Sequence, residues 1–167
     1  MNDNTYIGTP VYLSNNPFHQ FNMDVELVHN DAIMPQRANN SDAGYDVFAL
    51  ETVDIYPNKD ILIDLGWRCQ FSEGFAMIMK NKSGRAVKDK LVLGACVIDS
   101  GYRGNIMLHL FNHGNHAITI RKGEKISQFI ITPVWTGTIN QVENIDMDSD
   151  RGEGGFGSTG LINEETV

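Results

Sequence analysis

From Met23 to Val134 the chain never sustains a helical period for a dozen residues; short apolar runs alternate instead with clusters of turn residues. Runs of that length, rich in β-branched and aromatic side chains, fit strands rather than helices. They fall at residues 25–28, 45–50, 53–56, 61–71, 75–80, 92–98, 106–111, 117–120 and 126–134. Pro57-Asn58-Lys59-Asp60 and Ser72-Glu73-Gly74 supply turns, and Lys122-Gly123-Glu124 reads as the turn of a hairpin. So many short strands at this spacing predict an all-β sandwich or barrel. Residues 83–90 depart from the pattern. They are too charged for a buried strand and fit a short helix with Ser83 as its N-cap. The free N–H groups of a helix start suit a phosphate.

With 167 residues and 41% hydrophobic content, the chain is long enough for one domain with a real core. A net charge of −8 argues against nonspecific nucleic-acid binding, which needs a basic surface. A polyphosphate would have to be met locally, by a metal ion and a few placed cations. No run approaches a membrane span, and the N-terminus lacks the charged and apolar regions of a secretory signal. Cys69 and Cys96 make no disulfide framework and fit a reduced, cytoplasmic setting, that of the host if a virus encodes the chain. Three regions are expected: a polar extension over 1–22, with an edge strand at Val11-Tyr12-Leu13, a β-rich core over 23–140, and a linker with a glycine-rich arm over 141–167.

Two stretches carry candidate chemistry. Residues 151–160 hold five of the 16 glycines with one arginine, one phenylalanine and two hydroxyls. Glycine loses too much backbone entropy to build element interiors, so this is either a disordered tail or an arm that orders on closing over something. Arginine suits phosphate oxygens, exposed N–H groups suit anions, and phenylalanine suits the face of a base. In the second stretch, Gly94-Ala95-Cys96-Val97-Ile98 runs into a turn bearing Asp99 and Tyr102. In a hairpin such a pair could flank one small ligand; the alternative is a turn aspartate with a packing tyrosine.

Five segments together resemble the ordered motifs of the trimeric dUTPases: Asp42-Ala43-Gly44-Tyr45-Asp46, Lys82-Ser83-Gly84, Val97-Ile98-Asp99-Ser100-Gly101-Tyr102-Arg103-Gly104, Gly123-Glu124-Lys125-Ile126-Ser127-Gln128 and the 151–160 arm. The resemblance implies a jelly-roll-like β fold and a homotrimer whose sites each draw on all three subunits, with the arm of one chain capping a pocket formed by the other two. It also implies Mg²⁺ dependence and cleavage of dUTP to dUMP and pyrophosphate, which limits uracil in DNA and supplies dUMP for dTMP synthesis. Carried over, a hairpin of Gly94, Ala95, Cys96, Val97 and Ile98 forms the uracil pocket, where backbone groups read the Watson–Crick edge and reject cytosine by mispairing. Tyr102 packs on the deoxyribose. Asp99 holds the attacking water, and Asp46 reaches Mg²⁺ through a metal-bound water. Lys82, Ser83, Gly84 and Gln128 contact phosphates, Arg151, Gly157, Ser158 and Thr159 clamp them, and Phe156 lies over the uracil.

Several positions depart from the family pattern. Lys82 stands where arginine is usual, with Asn81 in place of proline; Arg85 replaces an apolar residue, Cys96 a glycine and Lys125 an arginine. Lysine offers a point charge where arginine offers a bidentate fork. The dCTP deaminase branch of the superfamily is the nearest rival; it needs a deaminating glutamate, and residues 118–134 offer only Glu124, which the hairpin turn explains. A rival of another class is a protein-binding module with a nucleotide-controlled arm, which would bring in a regulatory partner. His109, His113 and His116 read as surface histidines, Asp146, Asp148 and Asp150 as solvation of the linker, Trp67 and Trp135 as core or interface aromatics, and Cys69 as buried packing.

Overall fold

The computed structural model describes residues 21–154. Eleven strands stand in chain order: β1 Met23–Leu27, β2 Tyr45–Phe48, β3 Val53–Ile55, β4 Asp60–Asp64, β5 Trp67–Phe71, β6 Phe75–Asn81, β7 Leu91–Leu93, β8 Val97–Asp99, β9 Met107–Asn112, β10 Ile118–Ile120 and β11 Lys125–Pro133. Every strand pair is antiparallel. The sheets run β1-β5, β3-β10, β2-β11-β6-β8 and β4-β9-β7. Strand alternation explains the single core. In β5, Trp67, Cys69 and Phe71 point inward, while Arg68 and Gln70 face out to Glu26 and Asp24 of β1. One buried cluster takes side chains from strands of all four sheets, among them Val47, Ile55, Ile63, Trp67, Met77, Leu108, Ile120 and Phe129. This is the expected all-β, jelly-roll-like architecture.

Aromatic contacts centre the core. Trp67 and Phe129 lie 6.1 Å apart between ring centroids, and Tyr45 stacks on Phe129 at 5.2 Å. Asn112 is also buried, and its polar groups are satisfied: its amide donates to the carbonyls of Ile55 and His116, and its oxygen accepts from Gly114 N–H.

The structure corrects several expectations. The run 61–71 is two strands, broken where Gly66 takes φ +74 and donates its N–H to Asp64 Oδ1 at 2.7 Å. The run 92–98 is also two strands, in different sheets, so Gly94–Ile98 is no hairpin. Leu93 N–H bonds Asn81 Oδ1, Gly94 N–H bonds His109 O, and Met79 N–H bonds Cys96 O, which carries the chain from one sheet to the other. Lys122-Gly123-Glu124 likewise turns a corner between sheets, since β10 pairs with β3 and β11 with β2 and β6. The helical segment takes π geometry over Arg85–Asp89, closed by Lys90 N–H to Arg85 O, with Gly84 and not Ser83 at its N-cap. No side chain caps it, because glycine has none to offer.

The chain divides into two compact units, one ending at Thr136 and one beginning at Gly137. In the described part of the second, Asp148 N–H bonds Asp146 Oδ1 and Gly152 N–H bonds Ser149 Oγ. No strand forms there among the described residues. The edge strand expected at Val11-Tyr12-Leu13 lies outside the described residues.

Candidate functional site

Strand β11 is the central element of the site. It pairs with β2 on one side, setting Gln128 opposite Asp46, and with β6 on the other, setting Ser127 opposite Asn81. Segments far apart in sequence thus meet at one end of a four-stranded sheet. In a regular strand, Lys125 and Gln128, three apart, would face opposite ways. A bulge between Lys125 and Ser127 breaks the alternation, leaving Ile126 and Ser127 both buried and bringing Lys125 and Gln128 to one pocket. That pocket, of about 420 Å³, is lined by Lys82, Ser83, Gly84, Arg85, Lys88, Asp89, Lys125 and Gln128. Gln128 donates from Nε2 to Asn81 O at 3.0 Å, and its other amide atom lies so close over Gly44 that an added Cβ would collide with it.

Asp46 stands behind this pocket, 5% exposed, and it is bridged by both lysines. Lys82 Nζ reaches Oδ1 at 2.5 Å and Lys125 Nζ reaches Oδ2 at 2.8 Å. Burial pushes the Asp46 acid up, but hydrogen bonds from Lys125 and Lys82 and the charges behind them outweigh it. Its pKa lies below the ordinary carboxylate value. The carboxylate is therefore ionised, and the triad carries one net positive charge.

The second pocket forms where β8 leaves β6. It measures about 180 Å³ and is lined by Ala95, Cys96, Val97, Ile98, Asp99, Tyr102 and Met107. Asp99 ends β8 opposite Ala76 and is exposed to solvent. The turn that follows is stiff: Tyr102 N–H bonds Asp99 O at 3.1 Å, and Tyr102 OH donates to Asn105 O at 3.0 Å. Arg103 Nη1 donates to the carbonyls of Ser100 and Tyr102. The Tyr102 ring covers Gly104 closely enough that no Cβ would fit. Gly94 does not line this pocket. It backs onto His109 and Phe111, which leave no room for a side chain.

The structure thus brings Lys82, Ser83, Gly84 and Gln128 into one pocket beside Asp46, and Ala95 through Asp99 with Tyr102 into another; no residue lines both. Arg151 lies in the second unit, its Nε donating to Gly154 O at 2.8 Å. Phe156, Gly157, Ser158 and Thr159 lie outside the described residues. Sequence reasoning left Lys125, Arg85, Lys88 and Met107 out of the site. The bulge that turns Lys125 toward Gln128 has no mark in composition, whereas the charged run after Ser83 was a signal that could have found Arg85 and Lys88.

Other candidates resolve locally. Glu124 accepts from Arg121 N–H at 2.9 Å and pairs with Arg85, so both its oxygens are engaged. His109 bonds Asp60 at 3.0 Å and packs on Phe111, with His113 stacked on that ring. Trp67 is core and Trp135 is 88% exposed. Burial pushes the Cys69 thiol up to about 11, marking it as inert packing, whereas Cys96 is half-buried at the second pocket.

Comparison with known proteins follows the same lines. The dUTPase family model matches residues 30–160. A deoxyuridine 5'-triphosphate nucleotidohydrolase of Clostridium tetani is 37% identical over 143 residues, covering 84% of this chain and 98% of that one. One from Yarrowia lipolytica is 37% identical over 144 residues, covering 86% and 92%. Among solved structures, the Staphylococcus bacteriophage 80alpha dUTPase with dUPNHPP superposes with a TM-score of 0.79 at 32% identity, over 84% of this chain and 99% of that one. A variant of the dUTPase from phage phi11 of S. aureus, described with a structural Mg(II) ion, gives 0.71 at 28% identity over 75% and 99%.

Proposed function

The chain belongs to the dUTPase family and hydrolyses dUTP to dUMP and pyrophosphate, and from that premise we propose how its own residues divide the reaction. The base enters the pocket of Ala95, Cys96, Val97 and Ile98, the deoxyribose lies on Tyr102, and Asp99 at the rim holds the attacking water. Gly94 N–H and Cys96 C=O already bond His109 and Met79, so the remaining backbone groups of that segment read the uracil edge. The triphosphate runs into the pocket of Lys82, Ser83, Gly84, Lys125 and Gln128.

A single observation carries this reading. The base pocket and the cationic pocket of one chain share no residue, which supports a complete site that joins the first of one copy to the second of another. A closed homotrimer supplies three such junctions. Arg151, Phe156, Gly157, Ser158 and Thr159, on the arm of the third copy, then close over the nucleotide and exclude water.

Water held by Asp99 attacks the α-phosphorus in line: an oxygen–phosphorus bond forms on one side while the bond to the β-phosphate oxygen breaks on the other, and pyrophosphate leaves. An unperturbed aspartate is a weak base at neutral pH, so Asp99 contributes orientation and negative charge toward the water's proton more than full deprotonation. Lys82 and Lys125 face the charge that builds on the phosphate oxygens.

Mg²⁺ fits these residues as a metal carried by the triphosphate. Among the described residues no three acidic, histidine or cysteine side chains form a cluster to cage it. Each Asp46 oxygen gives one lone pair to a lysine and keeps another, enough for a contact through a metal-bound water. When bound, the metal supplies charge neutralisation to the phosphate oxygens. The bacteriophage 80alpha dUTPase is one of the phage dUTPases said to control transfer of virulence genes. A protein partner of this chain would show in pull-downs whose yield changes with dUTP.

Mixing is the decisive test. Asp99→Asn and Lys82→Ala chains, each inactive alone, are unfolded together and refolded. About a quarter of the sites should then combine an intact Asp99 with an intact Lys82 from another chain and release pyrophosphate from dUTP. A mixture as silent as its parts would refute the shared site.

A further inference from the structure

Arg85, Asp89 and Glu124 are charged side chains at or beside the triphosphate pocket that have no part in the reaction as described. The Arg85 side chain is only 17% exposed. Its Nη1 donates to Asp89 Oδ2 at 2.8 Å, and its Nη2 pairs with Glu124 Oε1. The other Glu124 oxygen accepts from Arg121 N–H, within the turn that Glu124 N–H closes onto Arg121 O. Arg85 therefore ties the helical segment, at both of its ends, to the corner that launches β11.

The same two stretches are joined a second time. Lys82 stands three residues before Arg85, Lys125 one residue after Glu124, and both bridge Asp46. Two ionic rungs thus connect the 82–89 stretch with residues 124–125, one through Asp46 and one through Arg85. Ser83 and Gly84 are exposed between them. An apolar residue at position 85 would leave the second rung unmade and Glu124 without its cation.

We propose that Arg85 is a positioning residue for the reaction: its paired carboxylates fix the spacing between Lys82-Ser83-Gly84 and Lys125-Gln128, and so the fit of the pocket to the triphosphate. The proposal rests on reading that pocket as the triphosphate site. Arg85 lines the pocket and could instead touch a phosphate itself. Its guanidinium, however, already faces two carboxylates that outweigh its charge, leaving little attraction for a third anion.

The test uses the full-length enzyme and five variants: Arg85→Leu, Arg85→Lys, Glu124→Gln, the Arg85→Leu/Glu124→Gln double variant and Lys82→Ala. KM and kcat are read with dUTP, and affinity with dUMP and with the analogue dUPNHPP. Positioning predicts that Arg85→Leu and Glu124→Gln each raise KM and weaken the analogue by about tenfold, with the double variant no worse than either single. Affinity for dUMP, which lacks the β- and γ-phosphates, should change less than about twofold. Arg85→Lys, keeping the charge but pairing fewer oxygens, should fall between. A direct phosphate contact predicts the reverse for Glu124→Gln, which would free the guanidinium and tighten the analogue; that result, or no change in either single variant, overturns the proposal. Should Arg85→Leu fail to fold, Glu124→Gln decides alone. Lys82→Ala separates the two levels of the reading: analogue binding unchanged there removes the triphosphate pocket itself, and unchanged only in the Arg85 and Glu124 variants removes the clasp alone.

Discussion

Two aspartates of this chain are given different work by their surroundings. Asp99 is exposed at the end of β8, on a turn held by Tyr102 and Arg103, so its carboxylate is placed by the backbone and left open to solvent. Asp99→Asn keeps the shape and loses the charge. We expect kcat to fall by about 10²–10⁴-fold with KM little changed, read from pyrophosphate release; a variant that turned over normally would end the assignment. Asp46 is the opposite case, buried between Lys82 and Lys125 with a lowered pKa. A carboxylate whose pKa falls on folding adds stability at every pH above its unfolded value and loses it as pH drops through the folded value. The fold should therefore weaken in acid below about pH 4, and Asp46→Asn should flatten that part of the curve while lowering stability near neutrality. Urea melts across the range would show it, and an acid limb identical in the two proteins would contradict it.

At the scale of elements, backbone devices place the side chains. The bulge in β11 puts Lys125 and Gln128 in one pocket. The crossing at Gly94–Cys96 hands the chain from β7 to β8 and opens the pocket of residues 95–99 and Tyr102 at the junction. The break between β4 and β5 depends on Gly66, where φ is +74 and a Cβ would lie 3.0 Å from Ala32 Cβ and Leu50 Cδ1. Gly66→Ala meets strain and crowding together and should cost about 1–3 kcal/mol, seen as a lower midpoint in chemical denaturation with an unchanged slope. A midpoint equal to the parent's would show that the loop around Ala32 yields. The sequence marked Gly66 only as one glycine inside an apolar run. Nothing in residues 61–71 says that the run must change sheets, because every odd position from Ile61 to Phe71 is apolar.

For the whole molecule, the pattern of short strands is enough to predict one core, and Trp67, Phe129 and their neighbours gather in it from all four sheets. Function is spread more widely than folding. The 151–160 arm contributes no strand among its described residues, so removing it should spare the core. A chain ending at Arg151 should keep the parent's oligomeric state and melting behaviour while its turnover on dUTP collapses; full activity in the truncated protein would refute the arm's role. Sedimentation and pyrophosphate release on the same sample separate these outcomes.

Sequence by itself determined the class of fold and the chemical inventory: alternating apolar strands, the aspartate-and-tyrosine turn, the serine-glycine pair with its lysine, and the glycine-rich arm. These are local properties, written in the spacing and type of neighbouring residues. Tertiary structure alone decided that Asp46 would be shared by Lys82 and Lys125, that Arg85 would close on Glu124, and that Lys125 and Gln128 would meet Ser83 in one pocket. Each of those contacts joins residues dozens of positions away through strand pairing, bulge and sheet crossing, and pairing register is fixed by the packing of the whole core rather than by any one segment.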